Sequence, residues 1–428
     1  MTQFKVPIDL IISKMAEDAT IVRQKASEAS EVLLSDLKTE LAQTPYDVIY
    51  QEDRVKLKHY KARTQIKYKT PLLVVYALIN RETMLDLQPG RSVVERFLDS
   101  GIDLYMIDWG YPTRKDRFLD FDDHINGYMD NIVDFIRKKN NVPKINLMGI
   151  CMGGAFSVIY SALYPQKIRN LVTTVTPTNF DTNKGLLHIW MRYLNVDSVV
   201  NTYGNLSADV MNFGFLLLNP ARLMIDKYVG FIENMNNKDF VENFIRMEKW
   251  IFDSPDLPGE VFRQFVKECY QENKLINSKL EVGGRLVDLK NITMPLLNIY
   301  GKFDHLVPPE ACDQLVKVVG SNDTEDICLN TGHIGIYVSS KCQEAFAPKI
   351  ASWLKQRDEE PKTETSDVSS LKPEPKKVIK NPFKAADAGS NSNDIVKKVL
   401  KRVDAGKKLS KPSGSSKSSS SKKIKNIL

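Results

Sequence analysis

Short, continuous apolar runs that alternate with amphipathic stretches restrict what this chain can fold into more than any other feature. Residues 71–79 read PLLVVYALI, residues 145–150 read INLMGI, and similar runs occupy 104–109 and 171–176. Strands covered on both faces have this composition, whereas a half-solvated strand would alternate polar and apolar positions. Between these runs, residues 92–98, 122–137 and 154–163 carry helical spacing, with Ile125, Met129, Ile132, Val133 and Ile136 on or near one stripe. Such alternation predicts a mostly parallel sheet with helices on both faces. A short strand at 55–60 precedes it. The pattern resumes with a strand at 295–300, a further short strand at 327–329 and a last helix at 345–354.

The pattern lapses in three places. Residues 179–289 hold helical stretches rich in aromatic and large apolar residues, among them LLHIWMRYL and FVENFIRMEKWIF, with no clear strand. They predict a helical cap inserted into the sheet domain, built either to cover an apolar acyl channel or simply to pack helix on helix. Residues 1–45 predict an N-terminal helical segment, with Met15, Ala19, Val22, Ala26, Ala29 and Leu33 on one face. Residues 357–428 predict a disordered, basic, low-complexity tail. Within it, Ile395, Val396, Val399, Leu400 and Val403 can form one apolar face that orders on a surface or partner. The expected organisation is therefore 1–45, a first core part at 46–178, the cap at 179–289, a second core part at 290–356, and the tail.

Charge follows this division. The chain carries a formal +7, but residues 361–428 hold 17 basic and 6 acidic residues, so the remainder is net negative at −4. Only the tail invites polyanion binding, and no basic, aromatic-interleaved element predicts specific nucleic-acid reading. The five cysteines contain no CxxC pair, which indicates neither a disulfide framework nor a zinc site. No apolar run reaches the roughly 20 residues of a membrane-spanning helix, and the first residues do not read as a secretory signal. A reducing cytoplasm, where a free thiol survives, is the expected compartment.

The strongest local signal is Gly149-Ile-Cys151-Met-Gly153, which follows an apolar strand and precedes the small-residue stretch GAFS. Strand, tight turn and helix in this order make a nucleophile elbow, with Cys where the usual motif has Ser, and they predict an α/β-hydrolase fold. The turn exposes the side chain and sets the sulfur near a helix N-terminus, which favours thiolate. The Met152 N–H can then point at a developing oxyanion, with a second donor expected from the loop after the 71–79 run, near Ile79 or Asn80. In such a fold the acid and the base follow in chain order, each after a late strand. Asp304, in YGKFDHLVPP, and His333, in TGHIG, fill these places. His305 competes for the base by adjacency to Asp304, but neighbouring side chains point apart, and a loop histidine between glycines fits better. His59, His124 and His188 have no matching context and read as structural or surface residues. Asp304 either orients His333 or helps activate a substrate hydroxyl, and the sequence leaves both open.

At the level of whole motifs the chain resembles the polyhydroxyalkanoate synthases, specifically the short catalytic subunit of the two-subunit class III enzymes, with class IV close behind. The resemblance runs from about residue 40 to 355 and rests on PLLVVYALINRETMLDLQPGRS, YMIDWGYPTRKDR, INLMGICMGG, VTPTNF, GFLLLNPARL, YGKFDHLVPP and TGHIG. It implies that Cys151 is the nucleophile, Asp304 the catalytic aspartate and His333 the general base. It further implies polymerisation of (R)-3-hydroxyacyl-CoA, notably 3-hydroxybutyryl-CoA, into a growing polyester with release of CoA and without a further cofactor or metal. A non-catalytic synthase subunit, a homodimer through the cap, and cytoplasmic granules with the enzyme at their surface are also implied. Two departures stand out: Met152 replaces the Gln of many relatives, and the basic tail is foreign to the short class III pattern. A thioesterase or esterase with the same three residues, or a non-catalytic granule-coating scaffold, are the competing readings.

Overall fold

The computed structural model describes residues 39–358. The expectations for residues 1–38 and 359–428, which include most of the N-terminal helical segment and the basic tail, lie outside the described residues.

An eight-stranded sheet forms the centre. Its strands are β1 (Tyr46–Glu52), β2 (Val55–Tyr60), β3 (Leu72–Val75), β4 (Leu104–Asp108), β5 (Ile145–Ile150), β6 (Ile168–Thr174), β7 (Leu296–Gly301) and β8 (Thr324–Leu329), in the spatial order β1-β2-β4-β3-β5-β6-β7-β8. From β4 to β8 all neighbours are parallel, while β1 and β2 add an antiparallel edge. The chemistry of the runs explains the layers. Every residue of β3, β4, β5 and β7 is buried, as continuous apolar composition requires when helices cover both faces.

The helices flanking the sheet are α1 (Val93–Asp99), α2 (Asp130–Asn140), α3 (Met152–Leu163) and the long final helix α10 (Ser340–Gln356). Ser92 caps α1 by accepting the Glu95 N–H at 3.0 Å. Asn141, at φ 50°, ends α2 in the left-handed conformation that asparagine tolerates. The helix expected over 122–137 is not uniform: residues Asp123–Met129 form a π-helical segment before α2 begins.

Between β6 and β7 the chain leaves the sheet and forms α4 (Leu186–Tyr193), α5 (Val196–Tyr203), α6 (Ala208–Leu218), α7 (Lys227–Glu233), α8 (Lys238–Phe252) and α9 (Gly259–Gln264). Asn195, Ser207 and Asn237 cap α5, α6 and α8 through their side chains. One correction concerns the expected absence of strand here: a two-strand ribbon, Glu281–Val282 with Arg285–Leu286, precedes the return to the sheet. Part of the aromatic content packs inside, but Tyr193, Tyr203, Phe213 and Phe252 are exposed.

A second correction concerns residues 71–79. Strand geometry ends at Val75, where two partners claim the chain. The Trp109 Nε1–H donates to the Tyr76 carbonyl at 2.9 Å, and the carbonyls of Val75 and Tyr76 abut Gly153. The loop beside the elbow therefore begins four residues earlier than the apolar run implies.

Candidate active site

Cys151 lies between the last residue of β5 and the first of α3, at φ 53° and ψ −122°. A residue with a Cβ rarely holds a positive φ, and the conformation costs about 1–3 kcal/mol. The neighbourhood enforces it. The Cys151 N–H donates to the Thr174 carbonyl of β6 at 3.0 Å, while the Cys151 carbonyl accepts from Gly154 and Ala155 at 2.9 and 3.1 Å. The flanking glycines are required by closeness. A Cβ at Gly149 would lie 2.5 Å from the Gly154 Cα, and one at Gly153 would lie 2.4 Å from two backbone oxygens. Gly153→Ala is therefore expected to lower unfolding free energy by about 3 kcal/mol, the upper end for overpacking, because backbone rather than a flexible side chain must yield. Chemical denaturation measures this, and an unchanged midpoint would refute the packing argument.

Met152 opens α3, so its N–H is among the donors that a helix start leaves without an intrahelical partner. Ile79 is half-buried and follows the β3 loop rather than ending a strand. Asn80, at φ 63°, meets the inserted helices through the Ser254 hydroxyl. The Trp250 indole N–H donates to the Arg81 carbonyl at 2.8 Å, and the Tyr111 hydroxyl reaches Asp253 at 2.5 Å. The end of α8 is thus fastened to the loops that follow β3 and β4.

Asp304 follows β7 in a turn. Its Oδ1 accepts the N–H groups of Leu306 and Val307 at 2.9 and 2.8 Å, and its Oδ2 accepts from His333 Nδ1 at 2.6 Å. The carboxylate side chain is 0 % exposed. His333 follows β8 and is buried, with Nδ1 held by Asp304 and Nε2 left for the thiol. Burial opposes charge on this imidazole, but Asp304 and then Cys151 outweigh it and raise its pKa to about 10. An imidazolium beside the sulfur is the arrangement that holds a cysteine as thiolate. The structure thus brings Cys151, Asp304 and His333 together, whereas His305 is exposed and makes no hydrogen bond to Asp304's carboxylate.

Sequence reasoning passed over three tyrosines. Tyr76 follows β3, Tyr270 lies in the inserted segment and Tyr337 follows His333. All three are buried, and burial first, with Cys151 among the further causes, raises each phenol. The Tyr337 hydroxyl also shares a 2.8 Å hydrogen bond with Thr174 Oγ1. Aromatics inside apolar runs give no signal that separates a site wall from core. Of the other histidines, His59 pairs with Asp103 at 2.7 Å, and His124 is buried against the Asp120 carbonyl and Arg54. His188 is also buried, yet neither ring nitrogen has a hydrogen-bond partner. Cys269 and Cys312 are buried thiols pushed up by desolvation, and Cys328 lies exposed on β8. Among the described residues no group of three or more His, Cys, Asp or Glu could hold a metal ion, and no helix is long and apolar enough to cross a membrane.

Comparison with known proteins places this geometry in a family. Residues 70–339 match the alpha/beta hydrolase fold, and residues 10–97 match the poly-beta-hydroxybutyrate polymerase (PhaC) N-terminus. The poly(3-hydroxyalkanoate) polymerase subunit PhaC of Allochromatium vinosum is 45% identical over 353 residues, covering 82% of this chain and 99% of that protein. The corresponding subunit of Haloferax mediterranei is 40% identical over 391 residues, covering 91% of this chain and 79% of its own length. Among solved structures, a monoacylglycerol lipase from Paleococcus ferrophilus aligns with a TM-score of 0.46 at 17% identity, covering 70% of this chain and 99% of the lipase. With an α/β-hydrolase sheet, a cysteine at its elbow and relatives 40–45% identical over 79–99% of their own length, the chain belongs to the PhaC family of poly(3-hydroxyalkanoate) polymerases.

Proposed function

We propose that this chain is the catalytic subunit of a class III polymerase that joins (R)-3-hydroxyacyl units, 3-hydroxybutyryl above all, from their CoA thioesters into a polyester. The observation that carries the mechanism is the buried Asp304–His333 hydrogen bond, with the second imidazole nitrogen left for the thiol of an elbow cysteine. Cys151 attacks the thioester carbonyl, its proton having passed to His333. The C–S bond to CoA breaks, and CoA leaves as the thiol after taking a proton from the imidazolium. The oxyanion is stabilised by the Met152 N–H, with a second donor from the loop after β3, assigned to Ile79. The hydroxyl of another hydroxyacyl unit then attacks the Cys151 thioester, giving its proton to His333, and an ester replaces the carbon–sulfur bond.

Asp304 acts in this scheme by orienting His333. Both its oxygens are engaged and its side chain is sealed from solvent, which supports orientation over direct contact with a substrate hydroxyl. The helices between β6 and β7 serve as a cap and as the surface of a homodimer. The chain works with a non-catalytic subunit, at the surface of the cytoplasmic granules that its product forms.

The test supplies the purified chain with (R)-3-hydroxybutyryl-CoA, with and without its companion subunit, and follows CoA and polymer together. Equal release of CoA and incorporation into polymer is expected, enhanced by the companion. CoA with free hydroxyacid alone would make the protein a thioesterase, and no release under either condition would favour the scaffold reading.

A further inference from the structure

A buried imidazole with no partner is an unusual thing for a protein to keep. His188 lies in α4 with no exposed surface, and both Nδ1 and Nε2 lack a hydrogen bond. Such a group costs stability, because its hydration is lost and nothing replaces it. Its surroundings are aromatic: the ring centroid is 5.1 Å from that of Tyr270 and 6.2 Å from that of Phe180. One side of the ring is wedged in place. A Cβ at Gly185, the residue before α4, would stand 2.8 Å from Nδ1 and 3.3 Å from Pro308 Cδ. His188 is therefore held beside the turn that begins with Asp304, with Nδ1 toward Gly185 and Nε2 buried without a partner.

The charges agree with this position. Burial first and the Arg192 cation second lower the imidazole to about 4, against a small opposing pull from Asp304, so the ring is neutral at physiological pH. A neutral imidazole has one donor and one acceptor nitrogen, a hydroxyl both donates and accepts, and the two are complementary. The proposed reaction needs such a partner. While Cys151 is being acylated, the Asp304 oxygens are occupied by two backbone N–H groups and His333, and His333 serves the thiol before it takes the proton of the attacking hydroxyl. Tyr270, whose ring lies tilted against that of His188, is also within electrostatic reach of Cys151. Tyr270 thus links the His188 ring to the neighbourhood of Cys151, and Asp304 acts on His188 as well as on His333.

We propose that His188 is a substrate-binding residue that hydrogen-bonds the 3-hydroxyl of the hydroxyacyl unit, and so distinguishes hydroxyacyl from plain acyl thioesters. The proposal rests on the covalent reading of Cys151, and the experiment separates the two. Wild type, His188→Phe and His188→Gln are each given (R)-3-hydroxybutyryl-CoA or butyryl-CoA. Acylation of Cys151 is followed by intact mass and first-turnover CoA release, and thermal midpoints are recorded.

Phenylalanine fills the aromatic site without unpaired nitrogens. His188→Phe should melt a few degrees higher, as removal of a buried unsatisfied group predicts. It should also lose about tenfold in acylation efficiency with the hydroxylated substrate, and less than twofold with butyryl-CoA. His188→Gln should recover part of the discrimination. Equal losses on both substrates, no loss on either, or a Phe variant that melts lower or fails to fold would each overturn the proposal in favour of a structural histidine. A wild type acylated by neither thioester would overturn the covalent reading, and this one with it.

Discussion

Cys151→Ala should abolish the acyl-enzyme and reduce CoA release by at least about 10⁴-fold, since removing a covalent nucleophile leaves only binding and oxyanion stabilisation. Alanine keeps the Cβ and the strained φ of 53°, so the fold should be unaffected, and a thermal midpoint near that of wild type is the control. Intact mass after mixing with (R)-3-hydroxybutyryl-CoA should show no adduct on the variant and one on the wild type. Cys151→Ser is the informative companion. It retains the geometry, but an alkoxide is a harder nucleophile that the imidazole must generate at greater cost. Turnover preserved in the alanine form would exclude the covalent mechanism, whatever the fate of the polymer.

Asp304→Asn has the second-largest expected effect, a loss of about 10³–10⁴-fold, by analogy with the same change in a serine triad. Two readouts distinguish orientation of His333 from activation of a substrate hydroxyl. If Asp304 orients the base, first-turnover acylation of Cys151 falls together with elongation. If it serves the hydroxyl alone, acylation survives and only elongation falls. The second readout is pH. In the wild type His333 stays protonated until about pH 10, because Asp304 and Cys151 outweigh burial. Alkylation of Cys151 by iodoacetamide should therefore stay nearly constant across neutral pH and change only as pH approaches 10. Without the Asp304 charge, burial pulls the imidazole down and the neutral thiol–imidazole pair is favoured, so alkylation of the variant should be slow at neutral pH and rise with pH as an ordinary thiol ionises. An unaltered profile would show that the carboxylate does not govern the imidazole.

Much of the sheet was legible because its central strands are buried on both faces, and burial on both faces leaves continuous apolar runs in the sequence. The edge strand β1 was not. Its residues YDVIYQE are half-buried or exposed, and its pairing with β2 shifts register between Val48 and Tyr50, so neither a run nor a clean alternation survives. The 71–79 run overstated β3 because hydrophobicity reports burial, and Tyr76, Ala77 and Leu78 are buried in a loop beside the elbow. The π-helical segment at Asp123–Met129 keeps apolar residues facing inward, and spacing alone does not distinguish it from an α-helix. In the site, Cys151, Asp304 and His333 were readable because each sits in a short polar or glycine-bearing segment just after a strand. Tyr270 and His188 come from the inserted segment, 119 and 37 positions after Cys151 in the chain, beyond the reach of any local pattern, and their surroundings read as packing.

The strand order also has a consequence for how the protein is made. β5, the elbow and β6 occupy residues 145–174, but the next strand in the sheet, β7, begins only at Leu296, and Asp304 and His333 come later still. A chain emerging from the ribosome N-terminus first can pair β3 to β6 and turn out its cysteine while the general base has yet to be translated. During that interval the thiol has no imidazole beside it and keeps the sluggish reactivity of an ordinary cysteine. Cys151 and His333 meet only when the last two strands dock, so under the proposed mechanism the nascent chain takes no acyl group before its synthesis is nearly complete.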